Sequence, residues 1–157
     1  MARLFLVTVI VLGVAVLGWY VLQHGIGFSI SDYIGGSTIS GTPSYTYTNT
    51  SEDSIFITSP KPAADVTSTI VVHGFARGNW YFEAVFPMVV LNQSGLVIGQ
   101  GQGKAGADWT TNSFVPFTAE VDLQTPYTGA AEVILKNDNA SGDPARDASV
   151  SFPVIVQ

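Results

Sequence analysis

Hydrophobic and polar positions divide the chain into two regions with different patterns. Residues 4–22 are uncharged and almost wholly apolar, and among side chains only Arg3 precedes them with a charge. As a helix these 19 residues would span about 28 Å, which matches the hydrocarbon core of a bilayer. The pattern predicts a transmembrane helix at residues 4–22 after a cytoplasmic stub at residues 1–3, because positive charge marks the cytoplasmic side.

Two other interpretations of this segment remain open. A cleaved signal peptide would use a small-x-small site such as residues 13–15 or 16–18, although its apolar region is normally about 7–15 residues long. A type IV pilin helix would carry a glutamate soon after its cleavage site, and the first glutamate of this chain is Glu52. We therefore expect an uncleaved, single-pass anchor in the cell membrane, with the remaining chain extracytoplasmic.

Residues 23–53 have the composition of a linker. Gly, Ser and Thr dominate, and Lys and Arg are absent. A flexible chain of this length has a root-mean-square span of about 30 Å, enough to hold a domain clear of the lipid headgroups. Tyr45 and Tyr47 alternate with threonine, which leaves open that part of the linker pairs as an edge strand.

Residues 54–157 show short apolar or alternating runs separated by Gly, Pro, Asn and Asp, a pattern typical of β-strands. Seven strands in a segment of this size predict an all-β, immunoglobulin-like sandwich. The predicted strands are 54–58, 68–76, 83–91, 96–102, 113–123, 130–136 and 148–156. Pro153 within the last run favours an edge strand or a bulge.

Alternation in the second predicted strand assigns its side chains to two faces. Ile70 and Val72 should point into the core, and Val71, His73 and Phe75 should point away from it. An outward Val and Phe form a small apolar patch of the kind that marks a partner site when neighbours enlarge it. Either a foreign partner or the linker, through its tyrosines, could cover this patch.

Charge narrows the classes of partner. The chain has 12 acidic against six basic residues, a net charge of −6, and without Arg3 the remainder carries −7. An acidic surface argues against binding to nucleic acid or directly to anionic lipid. Since the chain has no Cys, disulfides, thiolate metal sites and lipid attachment through Cys are excluded.

Few residues are candidates for catalysis or metal binding, and each of them also has a purely structural interpretation. Glu83 could be a general acid, but no second carboxylate is indicated, and bonding to backbone amides or to Arg77 is favoured. Residues 137–143 resemble a calcium loop, yet Ala148 stands where the bidentate Glu is required, so a turn is favoured. His73 is the only His after residue 53, which disfavours zinc. We expect no metal and no cofactor.

Glycines and aromatic residues remain to be assigned. Residues 99–103 resemble a phosphate loop only in composition, and a twisted or bulged strand is favoured because the lysine and the following helix are missing. Trp109 and Phe117 are expected in the core. Trp80 and Tyr81 are expected there too, with the alternative that one stays exposed and contacts a sugar ring or a protein.

Motifs in a specific order resemble the immunoglobulin-like domain of bacterial spore germination over residues 54–157. They are Ile57-Thr58-Ser59-Pro60, Ala76-Arg77-Gly78, Trp80, Phe82-Glu83-Ala84, Phe86-Pro87, Asp108-Trp109, Phe114-Val115-Pro116-Phe117 and Asn139-Ala140-Ser141-Gly142. Two departures are Asn92, where an Asp is usual, and Phe75, where a polar residue is usual. The resemblance implies a small extracytoplasmic β-domain of envelope proteins, with no family-wide enzymatic activity.

These observations together predict a membrane-anchored binding or scaffolding module of the bacterial envelope. Its partners would be the membrane, through residues 4–22, and another envelope protein or a cell-wall polymer. The candidate binding residues are Val71, His73, Phe75, Trp80 and Tyr81. The alternatives are an accessory subunit of a larger envelope assembly, which would use strand edges, and an enzyme acting on peptidoglycan.

Overall fold

The computed structural model describes residues 42–157, which belong to one compact unit. The predicted stub at 1–3, the predicted helix at 4–22 and most of the predicted linker at 23–53 lie outside the described residues. Within residues 42–157, no helix is long and apolar enough to cross a membrane.

Nine β-strands form one sheet in which every pairing but one is antiparallel. The spatial order is β1-β9-β8-β5-β6-β7-β4-β2, and β3 lies parallel beside β9. The strands are β1 (Thr46–Thr48), β2 (Ile55–Ser59), β3 (Ala64–Val66), β4 (Thr69–Arg77), β5 (Val85–Asn92), β6 (Val97–Ala105), β7 (Phe114–Asp122), β8 (Gly129–Lys136) and β9 (Ser149–Val156).

The sheet curls between β5 and β6 so that its two halves face each other. The ring of Phe86 on β5 meets the ring of Phe117 on β7 edge-on at 5.0 Å, although these strands are not neighbours in the sheet. One layer is therefore β2-β4-β7-β6 and the other is β5-β8-β9, with a single hydrophobic core between them. The prediction of an all-β, immunoglobulin-like domain is confirmed.

Alternating side chains explain why these segments form strands around that core. In β7, Val115, Phe117, Ala119 and Val121 are buried and the residues between them are outward. In β4, the inward side chains of Ile70 and Val72 are fully buried, as predicted. Each strand thus contributes one apolar face, and burial of that face drives the pairing.

Of the nine strands described between residues 42 and 157, eight lie within residues 54–157, so the number of seven predicted for that segment is corrected. The seven predicted segments correspond to the seven longest strands, with ends that agree within three residues. The additional strands, β1 and β3, have three residues each. The alternation of Tyr45 and Tyr47 with threonine left an edge strand open where β1 forms, whereas no pattern in the sequence indicated β3.

The outer edge of β9 is shared by the two short strands. β1 runs antiparallel to it at Ser149–Ser151, and β3 runs parallel to it at Val154–Val156. Pro153 lies between these two pairings, and its carbonyl accepts a hydrogen bond from the Ala63 amide at 2.7 Å. Since both polar groups of a strand residue point to the same edge, the missing N–H of Pro153 removes no bond to β8.

Two tyrosines attach the start of the described chain to this edge. Tyr45 meets Phe152 edge-on at 5.3 Å, and its hydroxyl donates to the Pro60 carbonyl at 3.0 Å. Tyr47 lies in β1 and packs against the core. The possibility that part of residues 23–53 pairs as an edge strand is confirmed for Thr46–Thr48. The alternative that these tyrosines cover the outward residues of β4 is wrong.

The glycine-rich segment is part of β6, so the strand interpretation is confirmed. A Cβ atom on Gly103 would lie 2.3 Å from the Phe86 ring. Only glycine lets β6 approach that ring so closely where the sheet curls. The register between β5 and β6 shifts at Val90/Leu91, which gives the strand its predicted irregularity.

Candidate binding face

The side chains of β4, β7 and β6 that point away from the core form what we call the outer face. Strand register arranges them in rows across the layer. One row is Val71, Glu120 and Gln102, and the next is His73, Thr118 and Lys104. The face is continuous because β7 lies between the other two strands.

A polar groove runs along the part of this face formed by β6 and β7. Its volume is about 820 Å³. The polar side chains that line it are Gln100, Gln102, Lys104, Thr118, Glu120, Asp122 and Gln124. The groove therefore presents amides, a hydroxyl, an ammonium and two carboxylates, and all of these residues are exposed to solvent.

Few of these groups are engaged with one another. Asp122 accepts a 2.6 Å hydrogen bond from the Thr69 hydroxyl, and Thr118 Oγ1 lies 3.1 Å from Nδ1 of His73. Among residues 42–157 the one ion pair within 4 Å is Arg146 with Asp143. Within the described residues, Lys104 and Glu120 therefore belong to no ion pair.

An aromatic cluster, Phe56, Phe75 and Phe114, occupies the other end of the outer face. Phe56 stacks on Phe75 with ring centroids 5.1 Å apart and meets Phe114 edge-on at 5.1 Å. The Arg77 guanidinium lies 4.5 Å from the centre of the Phe114 ring. Arg77 also donates to the backbone carbonyls of Asp53 and Asn112, so it holds two loops against the cluster.

Three of the predicted site residues lie on the outer face. Val71 is 37% exposed, and His73 is also exposed. Phe75 points away from the core as predicted, but it is half-buried because Phe56 stacks on it. The cover over Phe75 is thus a neighbouring strand, which neither of the two predicted alternatives included.

Trp80 and Tyr81 were candidate contact residues for a partner, but the structure buries both of them. They are 2% and 4% exposed, respectively, and both rings pack on Phe86. The Tyr81 hydroxyl donates to the Val115 carbonyl at 3.1 Å, and burial raises the pKa of Tyr81 to about 12. The core interpretation of both residues is confirmed, since the short 3-10 turn Gly78–Trp80 directs them inward.

The two other aromatic residues expected in the core have different outcomes. Phe117 is 3% exposed and belongs to the core. Trp109 is only partly buried, and it packs against the core from the loop between β6 and β7. The expectation of a core position is therefore met only in part for Trp109.

Glu83 lies in a tight turn between Phe82 and Val85. Glu83 and Ala84 have φ angles of 51° and 66°, and the Phe82 and Val85 backbones exchange hydrogen bonds of 3.0 and 3.1 Å. Two successive positive φ angles are typical of a type I′ turn. The side chain of Glu83 is exposed, and within residues 42–157 it makes neither of the two favoured contacts, a bond from backbone amides or a pair with Arg77. Arg77 binds backbone carbonyls instead.

The loop at residues 137–143 uses its side chains to bind itself. Asn139 accepts a 2.6 Å hydrogen bond from the Ser141 hydroxyl and donates to Asp147 at 2.8 Å. Asp143 accepts from the Ala145 amide at 3.0 Å, which caps a short 3-10 turn. This supports the favoured interpretation as a structural turn. Across residues 42–157, no group of three or more His, Cys, Asp and Glu side chains is placed to hold a metal.

Sequence reasoning missed the polar groove. Its residues alternate with glycines in β6 and with apolar residues in β7, so their outward direction was visible in the sequence. Their convergence was not visible, because it depends on β6 pairing with β7 across the loop at residues 106–113.

In residues 42–157, two facing layers of mainly antiparallel strands enclose one hydrophobic core, and this arrangement defines an immunoglobulin-like domain. The family described as the immunoglobulin-like domain of bacterial spore germination matches residues 54–143, more than half of the chain. The chain belongs to this family.

The match contains every motif that carries the resemblance but ends before β9. Comparison with curated proteins and with solved structures finds no match for the chain.

Proposed function

We propose that this protein is a membrane-anchored, extracytoplasmic and non-catalytic binding module of the bacterial envelope. It holds another envelope protein or a cell-wall polymer through the outer face. The observation that carries the proposal is the contrast between that exposed polar face and a core whose buried residues, within residues 42–157, include no polar or charged residue.

This contrast favours binding over catalysis. A catalytic acid or base is normally tuned by burial or by a close charged neighbour. In the described part of the chain no Asp, Glu, Lys or Arg is buried. On the outer face, Lys104, Glu120 and Asp122 lie beside amide and hydroxyl side chains. Such a surface can form many weak contacts with a partner, but it does not shield an acidic or basic side chain from water as a catalytic site would.

The anchor at residues 4–22 rests on the sequence pattern. It would place the domain outside the cytoplasm because Arg3 is on the N-terminal side and no Lys or Arg follows before Lys61. A tethered domain gains from even modest affinity, since the membrane keeps it beside an envelope partner at high effective concentration.

The strand edges support contact through a face instead of strand addition. In the described residues, β2 has five residues and an irregular register between Ile57 and Ser59, and β1 and β3 have three residues each. Short or irregular edges offer few consecutive backbone groups to an added strand. The accessory-subunit alternative that uses strand edges is therefore the weaker one.

A unique cysteine provides the test, because the natural chain has none. Thr118→Cys places a thiol on the outer face, and Glu132→Cys places one at an exposed position of the opposite layer. With a thiol-specific photocrosslinker in intact envelopes, we expect an envelope protein or wall polymer to be captured from Thr118→Cys and not from Glu132→Cys. Equal capture from both positions, or from neither, would contradict the proposed face.

Topology is tested on the same cells. Protease added to spheroplasts should digest residues 42–157, and the chain should stay with the membrane fraction. Protection of the domain would contradict an extracytoplasmic location, and release of a fragment that starts near Trp19 would contradict the uncleaved anchor.

A further inference from the structure

We propose that the polar groove between β6 and β7 binds a neutral polysaccharide strand. This inference rests on the proposed function, because it narrows the partner of the outer face to the glycan of a cell-wall polymer. Three properties of the groove lead to this class of ligand: its length, its hydrogen-bonding groups and its charge.

The groove is elongated along the strands. Alternate residues of a strand are about 6.6–7 Å apart, so three outward residues in succession extend over about 13–14 Å. β6 contributes Gln100, Gln102 and Lys104 in this way, and β7 contributes Thr118, Glu120 and Asp122. Two parallel rows of this length fit a linear chain of sugar rings better than a compact small molecule.

The side chains match the hydroxyl groups of sugars. A hydroxyl both donates and accepts, and so does the amide of Gln100, Gln102 or Gln124. Glu120 accepts and Lys104 donates, and neither belongs to an ion pair within residues 42–157. Beside these groups, Val71 is 37% exposed and lies in register with Glu120, so it offers an apolar contact for the C–H face of a ring.

Charge separates a neutral glycan from other envelope polymers. The groove has two carboxylates, Glu120 and Asp122, against one ammonium, and the chain as a whole carries −6. A phosphate-rich polymer or a nucleic acid would be repelled by this field. A neutral glycan avoids that repulsion and still satisfies both donors and acceptors.

The aromatic cluster of Phe56, Phe75 and Phe114 is a weaker candidate for a binding site than the polar groove. Phe56, Phe75 and Phe114 pack on one another, which leaves Phe75 half-buried. A protein partner would normally bury exposed aromatic anchors at the centre of its interface. Apart from Val71 and His73, the exposed side chains of β4, β6 and β7 on the outer face are mainly the polar ones of the groove.

The test measures binding of chitopentaose, a neutral oligosaccharide of N-acetylglucosamine, to the full 157-residue chain in a detergent without a sugar headgroup. Titration is followed by calorimetry up to millimolar ligand. Because losing one hydrogen bond typically costs about 1 kcal/mol, Gln102→Ala and Glu120→Gln should each weaken binding about fivefold. The matched controls are Gln93→Ala and Glu132→Gln, exposed positions outside the groove, and they should bind like wild type.

Three results would overturn the inference: no binding of chitopentaose by wild type, equal affinities in the groove and control variants, or tighter binding of polyphosphate than of chitopentaose. Crosslinking from Thr118→Cys distinguishes this failure from a failure of the proposed function. A face that captures an envelope protein and binds no glycan retains the proposed function, whereas a face that captures nothing loses both.

Discussion

The two faces of β4 carry side chains under different physical constraints. Its inward residues, Ile70 and Val72, are completely buried between two layers. Its outward residues range from the exposed Val71 and His73 to Phe75, which is covered by a neighbouring strand. One strand therefore supports the core on one side and a partly open, chemically mixed surface on the other.

This difference between the two faces predicts where substitutions should affect stability and where they should affect binding. Inward positions are packed at solid-like density, so the loss of atoms leaves a cavity. At outward positions, water replaces the atoms that a substitution removes, so the free energy of unfolding changes little. Function that depends on the outer face can thus change without loss of the fold. The following sites are taken in order of decreasing expected effect on stability, with Tyr81 placed by its effect at alkaline pH.

Phe86→Ala should have the largest effect on stability. Phe86 is fully buried and contacts Trp80, Tyr81 and Phe117. Truncation of such a ring typically lowers the free energy of unfolding by about 3–5 kcal/mol. Urea denaturation measures it, with Phe82→Ala as the control, since Phe82 is 46% exposed. Equal losses for both variants would contradict the inward placement of Phe86.

Alkaline pH should weaken the core through Tyr81. Burial raises the pKa of Tyr81 from 10.0 to about 12, so the fold favours the neutral phenol. This contribution to stability is complete below pH 10 and is lost as the pH rises through 12, a loss of about 2–3 kcal/mol at most. Burial, with Glu52 and Tyr45, also raises the pKa of Tyr47 to about 12, so Tyr47 adds to the same decline.

Tyr81→Phe isolates the share of Tyr81 in that decline. At pH 7 the variant should be less stable by about 0.5–1.5 kcal/mol, because the hydrogen bond to the Val115 carbonyl is lost. Between pH 10 and 12 its stability should fall less steeply than that of wild type. Parallel curves over this range would show that Tyr81 is not the titrating group.

Phe75→Ser should have an intermediate effect. The substitution removes a ring stacked on Phe56 but leaves the core intact, so we expect a loss of about 1–2 kcal/mol in a domain that stays folded. Val71→Ser, on the same strand and face, should change stability by less than about 0.5 kcal/mol. Thermal melting of both variants is sufficient, and unfolding by Phe75→Ser would mean that the faces of β4 are inverted.

Gln102→Ala and Glu120→Gln should have the smallest effect on stability. Both side chains are exposed, and each variant should melt within about 0.5 kcal/mol of wild type. A clear destabilisation would show that the groove serves the fold, and the contrast between the two faces of the layer would then disappear.

The long strands were predictable because alternating apolar and polar residues indicate which side chains of a strand are buried. The segment 68–76 became β4 (Thr69–Arg77) and 148–156 became β9 (Ser149–Val156). β3 was not predictable, since three residues carry no period, and for β1 the alternation of Tyr45 and Tyr47 with threonine only left an edge strand open. The pairing of both strands is decided by the free edge of β9.

The candidate site was predictable only in part, for reasons of packing. Val71 and His73 were placed correctly from their own strand. The stacking of Phe56 on Phe75 requires the register of β2 with β4, and Trp80 and Tyr81 follow a turn whose direction no periodicity indicates. The groove arises from two strands that are adjacent only after folding.

The shared edge of β9 also determines how the domain responds to mechanical force. A pull on the chain at residue 45 peels β1 from β9 one pair at a time, from Thr46↔Ser151 towards Thr48↔Ser149. Release up to β2 would lengthen the free chain before β2 by about 30 Å at 3.3–3.6 Å per residue. β3 runs parallel to β9 and remains in place. The first strand would thus yield to tension before the longer strands separate, with loss of the contacts that Tyr45 and Tyr47 make with the core.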